Sequence, residues 1–381
     1  MPSEFMRLAL DEAMSALGTT SPNPSVGAVV VRDGRVVGRG RTRPPGGSHA
    51  EVVALAEAGA AARGATLYCT LEPCAHTGRT GPCTEAIIEA GIASVSYAIG
   101  DPDERVAGTG DARLRSAGLA VEAGDGAAES TRILEGYLKH RRTGAPTVIV
   151  KVAMSLDGRI AAASGDARWV SGVEAREWVH QLRTQVDAVI VGSGTLVADD
   201  PALTARPGGT TEGAHQPARV IVDSRARTQP LAQMFLEPGG PVLVATLAGA
   251  AEAWRSAIES VGGEVLVVPS EVGPDGEAHV SLEALFAALG ARGMMNVMVE
   301  GGGVLLGALF DRRLVDRLYA VIAPVVVGAA AAPSAVNGRG AQVMREAPRL
   351  RDLVVTRLGE DVLIEGVPAW PGATTDQRDG E

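Results

Sequence analysis

The sequence predicts a two-domain α/β protein, with a three-layer α/β/α first domain and a second domain built on a mostly parallel sheet with helices on both faces. Its 381 residues exceed the roughly 250 to 300 at which a single hydrophobic core stops growing. In the first half, short apolar strands alternate with helical segments. In the second half, the strands are apolar on both faces, as in parallel sheets covered by helices.

The elements of the first half follow one another at short intervals. A helix over residues 6–17 precedes a hairpin of residues 26–31 and 35–38, which turns at Asp33 and Gly34. A second helix is predicted to begin at His49. The later segments alternate between strand and helix, namely strand 65–71, helix 84–90, strand 94–99, a short helix, strand 120–123 and helix 127–142.

A domain boundary is predicted at residues 139–146, where a basic helix end meets Gly144 and Pro146. We therefore expect domains at 1–145 and 146–368, followed by a polar tail at 369–381 that is disordered. The second domain contains a series of apolar strands, at 147–153, 188–191, 219–222, 242–245, 265–268, 297–299 and 318–322.

Composition narrows the class of partner. With 35 basic and 45 acidic side chains the net charge is -10, which disfavours nucleic acid and anionic membranes and favours a small-molecule substrate. Three cysteines and no recognisable signal peptide predict a cytoplasmic protein. The longest uncharged stretch, 318–336, is interrupted by Pro324, Gly328 and Pro333, so we predict a buried strand and loop there, with no membrane span.

A metal site is predicted from His-Ala-Glu at 49–51, Glu-Pro-Cys at 72–74 and Cys83. His49, Cys74 and Cys83 are three zinc ligands that leave one tetrahedral position open for water, and Glu51 is a carboxylate that moves protons. Residues two apart on a helix point about 200° apart, so His49 and Glu51 must lie at a helix entry to share one site. Cys83 follows Gly-Pro at the start of another helix, where the helix dipole favours a thiolate.

These residues also have plainer structural interpretations. His49 could cap a helix and the cysteines could be small core residues, but the full combination argues against this. Cys69 lies within a strand and is predicted to be core. His76 could be a fourth ligand that closes the site of a non-catalytic zinc scaffold, although we assign it to substrate contact. A nucleic-acid deaminase would need a basic, aromatic-rich groove, whereas only 3% of the residues are aromatic.

The first half resembles the deaminase domain of the bifunctional riboflavin-biosynthesis deaminase/reductase family. The wide loop at 72–83, Thr-Ser-Pro-Asn-Pro-Ser-Val-Gly at 20–27 and the segment 101–110 carry the resemblance; Asp103 stands where the family usually has Asn or Lys. It implies a cytidine-deaminase-like fold and hydrolytic deamination of a phosphoribosylated diaminopyrimidinone. It also implies that Asn23 holds the ring edge and that His76 and Arg79 line the pocket.

The second half has an apolar strand that runs into Gly301, Gly302 and Gly303 and then a helix, an arrangement in which backbone N–H groups cradle phosphate. It is not a Rossmann fingerprint, because Leu306 stands where glycine would be needed. Together with segments 151–159 and 194–206, it resembles the reductase domain of the same family over 146–368, which implies a dihydrofolate-reductase-like fold and NADPH. The implied cofactor contacts are Ala153, Trp169, Thr195, Asp199, Ser224, Gly302, Gly303, Val304, Leu305, Leu306, Gly307 and Ala308. The implied substrate contacts are Ala167, Arg183, Leu203, Arg206 and Glu300.

The chemistry implied for this half is hydride transfer to C1 of the ribosyl group, which becomes ribityl. Asp199 is the nearest candidate for proton transfer. Ala167 replaces a serine common in the family, which removes one hydroxyl from the expected phosphate contact. Arg225 and Arg227 are candidate partners of the NADPH 2′-phosphate, or solvated loop charges. A homodimer or homotetramer is expected from the resemblance, and a deaminase fused to an inactive or different reductase-like domain remains the alternative.

Overall fold

The structure, a computed structural model, describes residues 1–76, 81–103, 107–273 and 275–372. The chain forms two compact units. The first contains Met1–Pro146 and also Gly290–Met295, and the second contains Thr147–Leu289 and the chain from Asn296 onward. Within the described ranges, none of the helices has the length and apolar character that a bilayer crossing requires.

The first unit is a mixed five-stranded sheet with helices packed against it. Its elements are α1 (Glu4–Ser15), β1 (Gly27–Arg32), β2 (Arg35–Arg41), α2 (Ala50–Ala58), β3 (Thr66–Leu71), α3 (Cys83–Glu89), β4 (Ser94–Ile99), α4 (Thr109–Ser116), β5 (Ala120–Ala123), α5 (Ala127–Ile133) and α6 (Glu135–Thr143). The strand order is β2-β1-β3-β4-β5. Strand β1 is antiparallel to both neighbours, whereas β3, β4 and β5 are parallel.

The predicted hairpin is confirmed, with Asp33 and Gly34 both at positive φ (50° and 72°), as a tight two-residue turn requires. The single helix expected over 127–142 is wrong, because the chain breaks between α5 and α6 at Leu134. Leu134 leaves the helical conformation (φ -91°, ψ 7°), and its side chain is 1% exposed in the core. We attribute the break in the helix to the burial of this apolar side chain.

Small residues bring α2 directly onto the sheet. A Cβ added to Gly40 would collide with the carbonyl oxygen of Ala50, and one added to Gly38 would collide with that of Ala54. This close approach fixes the first turn of α2 against β2. His49, the residue that caps α2, is thereby held at the end of the sheet.

A short segment from late in the sequence completes the first unit. Met295 is 3% exposed and belongs to the hydrophobic core of this unit. A Cβ on Gly290 would collide with the carbonyl oxygen of Gly144, and His140 Nε2 lies 2.9 Å from the Gly290 carbonyl oxygen. The core of the first unit is therefore built from two separate stretches of sequence.

The second unit is a nine-stranded sheet. Its elements are β6 (Thr147–Ser155), α7 (Val173–Arg183), β7 (Ala188–Gly192), α8 (Ser193–Asp199), β8 (Ala218–Val222), α9 (Gln233–Leu236), β9 (Val242–Thr246), α10 (Glu252–Ser260), β10 (Gly263–Val267), β11 (Ser270–Val272), β12 (Ala278–Val280), α11 (Leu282–Ala291), β13 (Asn296–Glu300), α12 (Gly303–Asp311), β14 (Arg317–Ala323), β15 (Arg349–Leu358) and β16 (Asp361–Ala369). The order is β10-β9-β8-β7-β13-β6-β14-β16-β15, and β11 and β12 form a separate hairpin.

The predicted mostly parallel sheet is confirmed, since the strands from β10 to β14 in this order are parallel. Strands β15 and β16 form an antiparallel addition that was not predicted. Strand β15 is largely exposed, and charged residues, namely Arg349, Arg351, Asp352 and Arg357, flank the apolar residues Leu353, Val354 and Val355, so its pattern differs from that of the buried strands. Because the central strands are parallel, the carboxyl ends of β6, β7, β8 and β13 meet at one edge, where open α/β sheets bind ligands.

Candidate active sites

Three predicted ligands meet in the first unit. The ligand atoms of His49, Cys74 and Cys83 all lie within 4.8 Å of one another. His49 Nδ1 is 3.2 Å from Cys83 Sγ and 3.6 Å from Cys74 Sγ. Ideal tetrahedral zinc with ordinary bond lengths would place such N and S atoms about 3.6 Å apart, so these residues fit zinc. Among the residues that the structure describes, no fourth His, Cys, Asp or Glu joins this group.

Local folding explains how the three side chains converge. His49 precedes the first residue of α2, and Cys83 is the first residue of α3. Cys74 lies on the loop that follows β3, and the two ends of this loop are joined by backbone bonds: Cys83 N donates to Cys74 Sγ at 3.4 Å, and Thr84 N donates to the Cys74 carbonyl at 3.1 Å. Helix entries thus supply two ligands and a strand end supplies the third.

The thiols share their protons unequally. The hydrogen bond from Cys83 lowers the pKa of Cys74, and the same contact together with burial raises the pKa of Cys83. The hydrogen bond to Cys74 raises the pKa of His49. A thiolate is therefore already favoured at Cys74, which is the form that a metal binds.

Glu51 is buried beside the cluster, only 4% exposed. Burial raises its pKa to about 7, and the Cys74 thiolate acts in the same direction. A carboxyl group with this pKa exchanges protons readily near neutral pH. The predicted sharing of the α2 entry by His49 and Glu51 is confirmed, since α2 begins at Ala50.

A cavity of about 390 Å³ opens beside this cluster. Asn23 and His76, both predicted to contact substrate, line it together with His49, Glu51 and Cys74. Among the residues that the structure describes, none is a hydrogen-bond partner of the buried His76 Nδ1. Arg79, the third residue predicted here, lies outside the described residues. Cys69 is fully buried in the core, as predicted.

Sequence reasoning missed a supporting carboxylate, Glu72. Its side chain is 3% exposed and accepts backbone N–H groups of Gly108, Gly110 and Asp111 at 2.9 to 3.1 Å. Because Glu72 lies two residues before Cys74, these bonds tie the ligand loop to the beginning of α4. An acidic residue between an apolar strand and a Pro-Cys pair is the only signal for this role in the sequence.

The predicted reductase residues converge on a larger cavity of about 750 Å³ in the second unit. Its lining includes every predicted substrate contact and part of the cofactor set, namely Ala153, Ala167, Trp169, Arg183, Thr195, Asp199, Leu203, Arg206, Glu300 and Gly302. Burial raises the pKa of Asp199, and the positive charge of Arg168 offsets only part of this rise. Trp169 is 70% exposed, and the Arg176 guanidinium lies 4.6 Å from its ring centre.

A buried charge cluster forms one wall of this cavity. Arg183 donates Nε and Nη2 to the two carboxylate oxygens of Glu300 at 2.7 and 3.1 Å, and Nη1 to the Thr204 carbonyl at 2.9 Å. Lys151 Nζ lies 3.9 Å from Glu300 Oε2, a proximity that the sequence did not predict. Burial alone would raise the pKa of Glu300, but Arg183 and Lys151 outweigh it and lower that pKa.

A second cavity of the same unit, about 740 Å³, is lined by five of the seven remaining predicted cofactor residues. Thr195 and Gly302 line both cavities, and Ser224, Gly303, Val304, Leu305 and Ala308 line this one. Helix α12 begins at Gly303, and the N–H of Gly302 donates to Thr195 Oγ1 at 3.0 Å. Leu306 is fully buried, and a Cβ on Gly307 would collide with the backbone of Asn337, so these two residues pack inward, away from the cavity.

Two family descriptions match the chain. The "RibD C-terminal domain" matches residues 146–364, and the "Cytidine and deoxycytidylate deaminase zinc-binding region" matches residues 1–99. The chain belongs to the RibD family. It is 38% identical over 374 residues to the riboflavin biosynthesis protein RibD of Escherichia coli, covering 96% of this chain and 99% of that protein. The Synechocystis protein of the same name is 40% identical over 365 residues, covering 95% of each.

Solved structures of RibD proteins resemble the whole chain. Acinetobacter baumannii RibD (form 1) superposes with a TM-score of 0.83 at 35% identity, covering 96% of this chain and 98% of that one. The Thermotoga maritima diaminohydroxyphosphoribosylaminopyrimidine deaminase/5-amino-6-(5-phosphoribosylamino)uracil reductase gives 0.83 at 31% identity, with the same coverage.

These findings confirm the predicted family, fold class and type of enzyme. The chain is a bifunctional riboflavin-biosynthesis enzyme that joins a zinc-dependent deaminase to an NADPH-dependent reductase. It acts on a small molecule.

Proposed function

We propose that the first unit deaminates 2,5-diamino-6-(5-phosphoribosylamino)pyrimidin-4(3H)-one, and that the second unit reduces the ribosyl group of the product to ribityl. The observation that carries the proposal is the three-residue zinc cluster with a buried carboxyl group beside it, in a cavity that also contains Asn23 and His76. The T. maritima protein, which is named for both activities, supports the choice of substrate.

In the deaminase site, His49, Cys74 and Cys83 would hold zinc. Zinc bound there supplies a water molecule acidified toward neutral pH. Glu51 would hold and transfer protons at its carboxylate, one to the ring nitrogen and another to the leaving ammonia, a role for which a pKa of about 7 is suited. Asn23 holds the ring edge, and Arg79 and His76, whose buried Nδ1 has no partner within the described part of the chain, complete the contacts.

In the reductase site, NADPH supplies the hydride. We assign its contacts to Ala153, Trp169, Thr195, Asp199, Ser224 and five residues at the start of α12, namely Gly302, Gly303, Val304, Leu305 and Ala308. Arg206 is the phosphate-binding group, because guanidinium forks bind phosphate oxygens in pairs. Arg183 is held by Glu300 and Thr204, so it presents the Glu300 carboxylate to the substrate. Leu203 and Ala167 complete the wall.

For proton transfer in the reduction we assign Asp199, because burial raises its pKa and so favours a carboxyl group that carries a proton. Glu300 is held ionised by Arg183 and Lys151. Comparing Asp199→Asn with Glu300→Gln tests this assignment. We expect Asp199→Asn to lower kcat for reduction; a normal kcat in Asp199→Asn together with loss in Glu300→Gln would assign the step to Glu300.

The function is tested by incubating the purified protein with the diaminopyrimidinone substrate, with and without NADPH. We expect ammonia in both cases and NADPH oxidation when it is present. Ammonia release without NADPH oxidation would mean a reductase-like domain that is inactive or acts on another substrate. Glu51→Gln should keep zinc and lose ammonia release by about 100-fold or more; undiminished release would refute the role of Glu51.

We also propose a homodimer or homotetramer in the cytoplasm. Support for self-association comes from β15, an edge strand of the sheet on which Leu353 and Val355 are 57% and 60% exposed. Exposed edge strands pair readily with another chain. Sedimentation velocity tests this, and a monomer at micromolar concentration would refute it. A reducing cytoplasm suits the location because Cys74 and Cys83 must remain thiols to bind zinc.

A further inference from the structure

An ion-pair cluster lies on the wall of the 740 Å³ cavity. Arg225 Nη2 is 3.2 Å from Asp275 Oδ2, and His279 Nε2 is 2.9 Å from Asp275 Oδ1. All three side chains line the cavity. Arg225 follows the carboxyl end of β8, whereas Asp275 and His279 belong to the hairpin of β11 and β12. The cluster therefore joins two elements that are far apart in the sequence.

The hairpin is fixed to the end of β8 by a further bond. Val280 N donates to Ser224 Oγ at 2.9 Å, so the residue next to Arg225 holds the strand that follows Asp275. Side-chain exposures of 56% for Arg225 and 45% for Asp275 leave both charged groups accessible from the cavity. A ligand that enters the cavity can therefore reach Arg225 and Asp275 together.

The proposed path of NADPH brings its adenosine to this cluster. In this placement the nicotinamide lies in the 750 Å³ cavity and the pyrophosphate lies at the start of α12. The adenosine end then extends past Thr195 and Gly302, which line both cavities, into the 740 Å³ cavity, which Ser224 lines. NADPH differs from NADH only by the 2′-phosphate on this end. Arginine near that position favours the phosphate, while a carboxylate accepts hydrogen bonds from the free ribose hydroxyl and favours NADH.

We propose that Arg225 binds the 2′-phosphate and that Asp275 is a specificity-determining residue that weakens the preference for NADPH over NADH. The 2′-phosphate must displace the Asp275 carboxylate from Arg225 and then lies beside a negative charge. NADH meets neither obstacle. His279 holds Asp275 on its other side and keeps the carboxylate in place. This inference rests on the proposed placement of NADPH.

Two other arginines of the cavity have closely held partners of their own, whereas Arg339 is 72% exposed and lies 3.8 Å from Asp311, so Arg225 and Arg339 are the exchangeable arginines and only Arg225 adjoins Ser224. Arg227 Nη2 donates to Ser193 Oγ at 2.8 Å, and Arg312 pairs with Glu271 at 2.5 Å with both side chains less than a quarter exposed. The Arg225–Asp275 pair is longer and more exposed than the Arg312–Glu271 pair. Exposed ion pairs contribute little net free energy, so little free energy is lost when the 2′-phosphate replaces Asp275 as the partner of Arg225.

The test measures dissociation constants of the full-length protein for NADPH, NADH, 2′,5′-ADP and 5′-AMP by titration calorimetry. Removing the competing charge in Asp275→Asn should tighten NADPH and 2′,5′-ADP about threefold and leave NADH and 5′-AMP unchanged. Arg225→Gln should weaken NADPH about tenfold and again spare NADH. Glu277→Gln removes a charge from the same turn without freeing Arg225, so it is the matched control and should change neither constant.

Two results would overturn the inference. Weaker NADPH binding in Asp275→Asn would mean that Asp275 only orients Arg225, and an unchanged ratio of the NADPH and NADH constants would mean that the cluster does not face the 2′ position. A wild-type protein that binds neither dinucleotide would instead refute the proposed placement of the cofactor, and this inference with it. If the wild-type protein binds both dinucleotides tightly but the ratio of the NADPH and NADH dissociation constants does not change in the variants, only the roles of Arg225 and Asp275 are refuted and the placement of the cofactor stands.

Discussion

The deaminase and reductase sites differ in how their residues are distributed along the chain. The zinc ligands and Glu51 fall within 35 residues, from His49 to Cys83, and the ligand atoms of His49, Cys74 and Cys83 lie within 4.8 Å of one another. The reductase cavity draws on residues from Lys151 to Gly302, contributed by strands, helices and loops of the whole second unit. The geometry of the deaminase site therefore depends on a few local turns, whereas the geometry of the reductase site depends on one edge of a large sheet.

This difference affects which substitutions each site tolerates. A metal cluster fails when one of its ligands is removed, because the remaining two bind zinc weakly. A dispersed cavity depends on the wall that supports it, so changes in packing and buried charge reach the chemistry indirectly. The following substitutions test the contrast.

The largest effect is expected for Cys83→Ser. Loss of one thiolate ligand should empty the zinc site and lower ammonia release at least about 1,000-fold. NADPH-dependent reduction of the deaminated intermediate, supplied directly, should be unchanged. Metal analysis and the two rates, each measured separately, check this. Equal loss of both reactions would contradict the view that each site depends on its own residues.

Arg183→Met should affect stability and reduction together. It removes the bidentate partner of Glu300, whose side chain is only 13% exposed, and breaking a largely buried pair in this way costs about 3 kcal/mol of unfolding free energy. Urea denaturation should report this loss, NADPH oxidation should fall about tenfold or more, and ammonia release should persist. If reduction fell with no change in stability, Arg183 would act on the substrate alone.

Cys69→Ala should have a smaller effect, on stability only. Cys69 is fully buried in the first core, so its truncation should cost about 1 kcal/mol. Zinc content and ammonia release should remain those of the unaltered protein. Loss of zinc in this variant would place the third cysteine in the metal site and weaken the description of a three-ligand cluster.

The smallest effect is expected for Arg113→Met, the matched control for Arg183→Met. Arg113 also donates two bonds to a carboxylate, that of Glu85, but these side chains are 41% and 42% exposed. Solvent screens such pairs, so the urea midpoint should not move. A clear shift of the urea midpoint in Arg113→Met would show that a bidentate Arg–carboxylate pair stabilises the protein even when it is exposed.

Much of the zinc site could be predicted from sequence because its geometry follows from local rules. His49 and Cys83 stand at helix entries marked by Gly, Pro and Ser, and Cys74 follows an apolar strand. The two-domain α/β class could be predicted for the same reason, since each buried strand carries its own apolar run. The turn at Asp33 and Gly34 is a further local signal.

Features that depend on distant partners escaped prediction. Glu72 accepts hydrogen bonds from backbone N–H groups more than thirty residues away in the sequence. Lys151 approaches Glu300 because β6 and β13 pair in parallel. The partnership of Arg225 with Asp275 requires the hairpin of β11 and β12. Nothing in a local window marks such contacts, since any exposed acid or base has the same appearance in sequence.

The return of Gly290–Met295 to the first unit has a consequence for gene architecture. A stop codon after Pro146 would release a deaminase half that lacks Met295, a residue of its own core, and that leaves Gly144 uncovered. Separating the two activities onto independent polypeptides therefore requires more than a cut in the linker. The severed half would need a substitute for six residues encoded some 150 codons downstream.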